Sequence, residues 1–201
     1  VVSLHDVDCA VPPGARIALV GPSGSGKTTL LHILGGLDKP TAGRVEWPGL
    51  GSFDNLRPRK IGFVFQTPSL FPALTALENV RLPSLIAGVE GENAATLLQA
   101  LDLIEIAHKL PEELSGGQAQ RVAMARALAL CPTLILADEP TGFLDGATAQ
   151  SFLDAVTERL DAIGGALVLA THDETVAARM TTRWTMDHGR LTGLQPQQGA
   201  S

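Results

Sequence analysis

The segment Gly21-Pro-Ser-Gly-Ser-Gly-Lys-Thr28 fits the pattern GxxxxGK[ST], and its setting limits the fold more than any other feature of the chain. It follows Ala15-Arg-Ile-Ala-Leu-Val20, which reads as a buried strand, and it opens Lys27-Thr-Thr-Leu-Leu-His-Ile-Leu34, which reads as a helix. Strand, glycine-rich loop and helix in that order aim consecutive backbone N–H groups and a positive helix end at one point, where they can wrap a polyphosphate. The glycines permit close backbone approach and left-handed dihedrals. Lys27 adds a point charge, and the Thr28 hydroxyl is a ligand of the kind Mg2+ accepts.

Strand and helix signals alternate along the rest of the chain. Short strands are expected at 44–47 and 61–65, and longer apolar ones at 133–137 and 166–170. From 75 to about 110 the spacing of Leu77, Val80, Leu97, Leu98, Leu101 and Ile104 is helical, with breaks at Pro83 and at 88–91. Further helices are expected over 118–130 and about 147–163, and a frayed tail over 194–201. Alternation of this kind implies an α/β core with a mostly parallel sheet, interrupted by a helical lobe.

Composition narrows the function classes. With 201 residues, 45% hydrophobic content and a net charge of only -6, the chain can bury a core and is not of the disordered class. Cys9 and Cys131 belong to no metal or redox motif and read as buried free thiols. No apolar run approaches the ~18–20 residues that cross a bilayer, so direct membrane insertion is not expected. The mild acidity, with one short basic cluster from Arg57 to Lys60, argues against nucleic acid as a partner.

Two more segments carry chemistry. Leu134-Ile-Leu-Ala-Asp-Glu139 is an apolar strand that ends in adjacent carboxylates. Successive residues at a strand end point in different directions, so Asp138 can hold Mg2+ through water while Glu139 polarises an attacking water. In Leu114-Ser-Gly-Gly-Gln118, Ser115 suits an N-cap, Gly116 and Gly117 admit a close ligand, and the helix that follows points its positive end there. The chain thus holds two phosphate-directed helix termini.

The loop 21–28, Gln66, the segments 114–118 and 134–139, and His172 stand in the order and approximate spacing of the nucleotide-binding domain of ATP-binding-cassette (ABC) ATPases, which the chain resembles over essentially its whole length. Leu31-His-Ile-Leu-Gly-Gly-Leu-Asp38, Thr75-Ala-Leu-Glu-Asn79 and Ala137-Asp-Glu-Pro-Thr-Gly142 are similar to the branch of lipoprotein-releasing, macrolide-export, antimicrobial-peptide-resistance and cell-division ATPases. The resemblance implies a P-loop NTPase fold with a small antiparallel β part. Its nucleotide-binding core would be residues 1–74 and 131–193, its inserted helical lobe 75–130, and its N-terminus truncated. It also implies ATP and Mg2+ as ligands and a head-to-tail dimer with a second copy or a paralogous ATPase subunit.

In that dimer ATP would lie on Gly21, Pro22, Ser23, Gly24, Ser25, Gly26, Lys27, Thr28 and Thr29 of one chain. Ser115, Gly116, Gly117, Gln118 and Asp145 of the other would close over it. Glu139, His172, Gln66 and Lys27 would act in hydrolysis, with His172 at the γ-phosphate, and Thr28, Gln66 and Asp138 would serve the metal. Arg121 and Arg126 would serve packing and ion pairing.

An ATPase of this kind needs an integral membrane permease subunit and would sit in the cytoplasm, peripheral to the inner face of the cell membrane. The segment from Gln66 to Leu77 is unusually apolar for a connection, and Leu70, Phe71 and Leu74 are either anchors for a permease helix or packing within the lobe. Two other readings use the same loop: a regulator signalling through a membrane partner, and a P-loop small-molecule kinase, which would leave 114–118 unexplained. Phe143 departs from the branch, which has Asn there. No aromatic lies between Val1 and Gly21 to stack on adenine, so weak affinity and poor base selectivity are expected.

Overall fold

A computed structural model describes residues 4–51 and 53–196. Among these, six strands form one sheet: β1 (Arg16–Val20), β2 (Ile61–Val64), β3 (Leu134–Asp138), β4 (Ala166–Thr171), β5 (Thr182–Asp187) and β6 (Arg190–Pro196), in the order β2-β3-β4-β1-β5-β6. All neighbours are parallel except β6, which returns antiparallel along β5. Every residue of β1, β3 and β4 is buried. That is why these strands are nearly continuous apolar runs: helices cover both faces of the sheet.

Alternate residues feed two cores. Ile17, Leu19, Leu136 and Val168 meet Leu30 and Leu31 of α1 (Lys27–Leu34) on one face. Ala18, Ile135, Leu167 and Leu169 face the opposite layer, made by α4 (Gly116–Leu128), α5 (Gly146–Ile163) and α6 (Glu174–Ala177). Each fully buried leucine in these layers contributes about 1.5–3 kcal/mol. The helices α2 (Ala76–Ala87) and α3 (Ala94–Ala100) pack with α4, and their Val80, Leu97 and Leu98 continue the second core. The register sets Val20 beside Thr171 and Asp138 beside Ala170, so β1, β3 and β4 all end along one edge. In open parallel sheets ligands bind at such carboxyl ends.

Helix α4 lies directly on the edge strand β2. A Cβ at Gly62 would stand 2.7 Å from the Ala127 carbonyl oxygen and 2.8 Å from Ile135 Cδ1, so only glycine allows this approach.

The structure departs from the sequence expectations at several places. Residues 44–47 form no strand, because among the described residues no neighbouring strand supplies hydrogen bonds; Trp47 instead donates its indole N–H to the Leu34 carbonyl at 2.8 Å. Pro83 does not break the helix. Its fixed φ suits α geometry, the Thr75 capping box and buried Ala76 and Val80 hold α2, and the helix ends at Gly88 with φ 60.

At the end of the chain, residues 194–196 belong to β6 rather than to a tail, and 197–201 lie outside the described residues. The pair β5–β6, joined at His188 (φ 45) and Gly189 (φ 77), is the small antiparallel part of the sheet, although the sequence reading assigned no residues to these strands or to α6. Cys131 is exposed, not buried: it follows α4 in the left-handed conformation at φ 48, which turns it to the surface. Cys9 is half-buried, and desolvation, aided by Asp8, pushes its thiol up to about 11.

Candidate active site

The first turn of the site is the loop between β1 and α1. Gly21, Gly24 and Gly26 have φ of 152, 76 and 108, conformations that L side chains rarely adopt. Gly21 is also sterically obligatory, since a Cβ there would lie 2.1 Å from the Met186 carbonyl oxygen. Gly26 occupies the N-cap of α1 without a capping side chain, and the first turn of the helix holds no acid, which leaves the positive helix end uncompensated. Lys27 is buried and folds back over the loop, its Nζ donating to the carbonyls of Gly21 (2.7 Å) and Pro22 (3.1 Å). Ser25 Oγ is buried with no partner among the described residues.

Two contacts tie this loop to the carboxyl end of the sheet. The Thr28 hydroxyl donates to Asp138 Oδ2 at 2.5 Å, joining α1 to the end of β3. One residue on, Glu139 takes φ 47, a left-handed conformation costing a non-glycine residue about 1–2 kcal/mol. Its amide donates to the Ala170 carbonyl at 2.9 Å, and its carbonyl accepts from Gly142 at 3.1 Å. Strain of this kind held by surrounding hydrogen bonds collects at functional positions. The Glu139 side chain is only 12% exposed, and its Oε1 lies 2.9 Å from Nδ1 of His172, which follows β4 and is 75% exposed. A near-buried carboxylate therefore faces an open imidazole beside the loop of Lys27.

The second helix terminus is built separately. Ser115 caps α4 reciprocally with Gln118: Gln118 N–H donates to Ser115 Oγ (3.1 Å), and Ser115 N–H donates to Gln118 Oε1 (2.9 Å). Gly116 and Gly117 press on the loop before α5. Added Cβ atoms would meet the Phe143 ring at 3.1 Å and Leu144 Cδ2 at 2.7 Å.

These elements match the ABC transporter family model over residues 4–142. The chain belongs to the ABC transporter family. Lipoprotein-releasing system ATP-binding protein LolD of Legionella pneumophila (strain Paris) is 46% identical over 202 aligned positions, covering 94% of this chain and 88% of LolD. LolD of Shewanella oneidensis is 43% identical, with 94% and 86% covered. Among solved structures, a dimeric post-hydrolysis state of the ATP-binding cassette MJ0796 bound to ADP and Pi superposes with TM-score 0.89 at 39% identity, covering 98% of this chain and 91% of that one. The protein is thus an ABC cassette of the ATP-binding, ATP-hydrolysing kind.

Within this ABC cassette, the residues expected at one nucleotide separate into distinct places. Gly21 to Thr29, Asp138, Glu139 and His172 share the carboxyl edge of the sheet. Ser115, Gly116, Gly117 and Gln118 make no hydrogen bond to that loop among the described residues and gather instead with Phe143 and Leu144. Asp145 caps α5, accepting from Thr148 N–H (2.9 Å) and the Thr148 hydroxyl (2.7 Å), and these bonds hold its carboxyl below the usual aspartate range. Gln66 is exposed just past β2 and makes no side-chain hydrogen bond among the described residues. Arg121 and Arg126 bind backbone carbonyls: Leu101 at 2.9 Å and Ser69 at 2.8 Å respectively. Burial lowers the pKa of Arg126.

The sequence reading gave two buried polar residues no role. Asn79 is fully buried and pins the segment after Gln66, its Nδ2 donating to the carbonyls of Phe71, Leu74 and Thr75 and its Oδ1 accepting from Phe71 N–H. Gln120 is also fully buried, on α4. The available signal was a polar side chain at helical spacing with buried Gly117 and Met124.

Proposed function

We propose that this cassette energises lipoprotein release through a separate permease, acting at the cytoplasmic face of the cell membrane as a head-to-tail pair with itself or a paralogous ATPase subunit. The observation that carries the reading is the meeting, at one sheet edge, of the Thr28–Asp138 and Glu139–His172 pairs in a chain 46% identical to LolD over nearly its whole length. Among the described residues no helix is long and apolar enough to cross a membrane. In this reading residues 1–74 and 131–193 form the nucleotide-binding core and 75–130 the helical lobe.

The donor set suits Mg2+. A threonine hydroxyl and a carboxylate are hard oxygen ligands, and this ion keeps several waters and takes further ligands from substrate phosphates, so it needs few protein oxygens. Thr28 and Asp138 would hold it, with the exposed Gln66 amide as a third group. When bound it would offset phosphate charge. Lys27 and the N–H groups of the loop bind the polyphosphate, and electrostatic positioning of this sort dominates a loose phosphoryl-transfer transition state. Glu139 orients the attacking water and takes up its proton. His172 steadies that carboxylate through Nδ1 and presents Nε2 to the γ-phosphate. The Ser115 terminus of the second copy, with Asp145 beside it, closes over the nucleotide.

Glu139→Gln tests the assignment: ATP binding and ATP-dependent dimerisation are expected to persist, while phosphate release falls roughly 10²–10⁴-fold. A variant retaining most of the activity removes Glu139 from this role. Loss of ATP-dependent lipoprotein release in the reconstituted complex, alongside the hydrolysis defect, ties the chemistry to transport.

A further inference from the structure

We infer that Gln120 is a positioning residue that fixes the exit of β2 to the helix beginning at Ser115 and so sets where Gln66 stands. The inference rests on the assignment of Gln66 to the reaction centre given above.

Gln120 lies in the second turn of α4, five residues from the Ser115 cap and completely buried. Its Nε2 donates to the Phe65 carbonyl at 3.1 Å, across 55 residues of chain, and Phe65 immediately precedes Gln66. The amide can face only this way, since reversing it would set two acceptors against each other. Its Oε1 is then left buried without a partner among the described residues. An unpaired buried acceptor is destabilising, and leucine or methionine would fill the same space without it. A residue present for packing alone has no use for this amide. Its one bond among the described residues is to the carbonyl beside the metal-directed glutamine.

The surrounding contacts make that bond mechanically effective. Among the described residues β2 is an edge strand, paired only with β3, so its exit takes its position from whatever packs above it. That is α4, seated on Gly62 through Ala127. Further along the same helix, Arg126 donates to the Ser69 carbonyl at 2.8 Å and to its hydroxyl at 3.1 Å. The helix whose N-terminus is directed at the other copy's nucleotide therefore grips, on its own chain, the residues on both sides of Gln66. Closure of the pair on ATP is conveyed to Gln66 through this helix, and Gln120 is the grip nearest to it.

The test is steady-state hydrolysis by the full chain carrying Gln120→Leu, Gln66→Ala or both, with melting temperatures recorded in parallel. Gln120→Leu should lower kcat about tenfold while KM for ATP stays within about twofold, the pattern of a displaced reacting group. It should lower kcat no further when Gln66 is already alanine. Equal losses in both backgrounds would mark Gln120 as merely structural and overturn the inference, as would an unchanged kcat. Full activity in Gln66→Ala would overturn both the Gln66 assignment and this inference; a loss in Gln66→Ala without one in Gln120→Leu would overturn the inference alone. Should Gln120→Leu not fold, Gln120→Met, of similar length and lacking the amide, is read by the same criteria.

Discussion

Nδ1 of His172 stands 2.9 Å from Oε1 of Glu139, so the imidazole that closes β4 and the carboxylate that follows β3 form one unit. With Glu139 ionised, Nδ1 must carry the proton and donate. Nε2 can then donate to a phosphate oxygen only when the ring is doubly protonated. Replacing His172 by alanine is expected to slow phosphate release about a hundredfold, with nucleotide binding changed little. Filter binding of labelled ATP beside a phosphate-release assay separates the two effects, and equal losses in both would refute the pairing as a catalytic arrangement.

Two glycines of the same loop should respond unequally to alanine. At Gly24 (φ 76) an added Cβ meets nothing within 4 Å, so the penalty is the left-handed backbone alone, about 1–2 kcal/mol. At Gly21 (φ 152) the new atom would sit 2.1 Å from the Met186 carbonyl oxygen, and overpacking adds about 1–3 kcal/mol to the backbone strain. Urea unfolding of Gly21→Ala and Gly24→Ala gives the comparison; equal stabilities would contradict the described contact between this loop and β5.

The apolar connection after Gln66 divides into two kinds of residue. Leu70 is half-buried against the core, whereas Phe71 is 51% exposed. Phe71→Asp should therefore keep the melting temperature of the parent and lose co-purification with the permease. Leu70→Asp should melt earlier, because burying an unpaired charge there is unfavourable. Retained co-purification of Phe71→Asp would remove Phe71 from the docking surface.

Asp145 gives a pH signature with a definite sign. Hydrogen bonds from the Thr148 amide and then from its hydroxyl lower its folded-state pKa below the unfolded value. Its stabilisation is therefore complete above the ordinary aspartate range and disappears as pH falls through the lowered value. Asparagine caps helices about as well as aspartate but does not titrate there. Melting curves of the parent and Asp145→Asn should run together near neutrality, and in strong acid the parent should lose stability relative to the variant. Parallel curves throughout would show that the cap contributes nothing to acid sensitivity.

Much of the site could be read from the sequence because its parts are local. The loop from Gly21 to Thr28, the strand ending in Asp138-Glu139 and the Ser115 cap each lie within a few consecutive residues, where spacing translates directly into dihedral angles and hydrogen bonds. Arg44-Val-Glu-Trp47 misled because a strand signal describes a face and not a partner, and no strand among the described residues pairs with it. Pro83 misled in the opposite sense, since packing of Val80 outweighed a single missing N–H. The contacts of Gln120 and Phe143 were invisible for a different reason. What they touch, the Phe65 carbonyl and Gly116, lies far off in sequence, and no periodicity encodes a contact of that range.

The buttress behind Gly21 has a consequence for biosynthesis. The loop opening at residue 21 leans on the Met186 carbonyl, and Gly189 N–H donates to the Ser25 carbonyl at 2.9 Å. A ribosome makes the phosphate-gripping turn first, and the groups that brace it are translated some 160 residues later, at about 5–20 residues per second. The nascent chain therefore carries its most diagnostic motif through some 160 further residues of synthesis without the wall that shapes it, and competence to grip ATP waits for that wall.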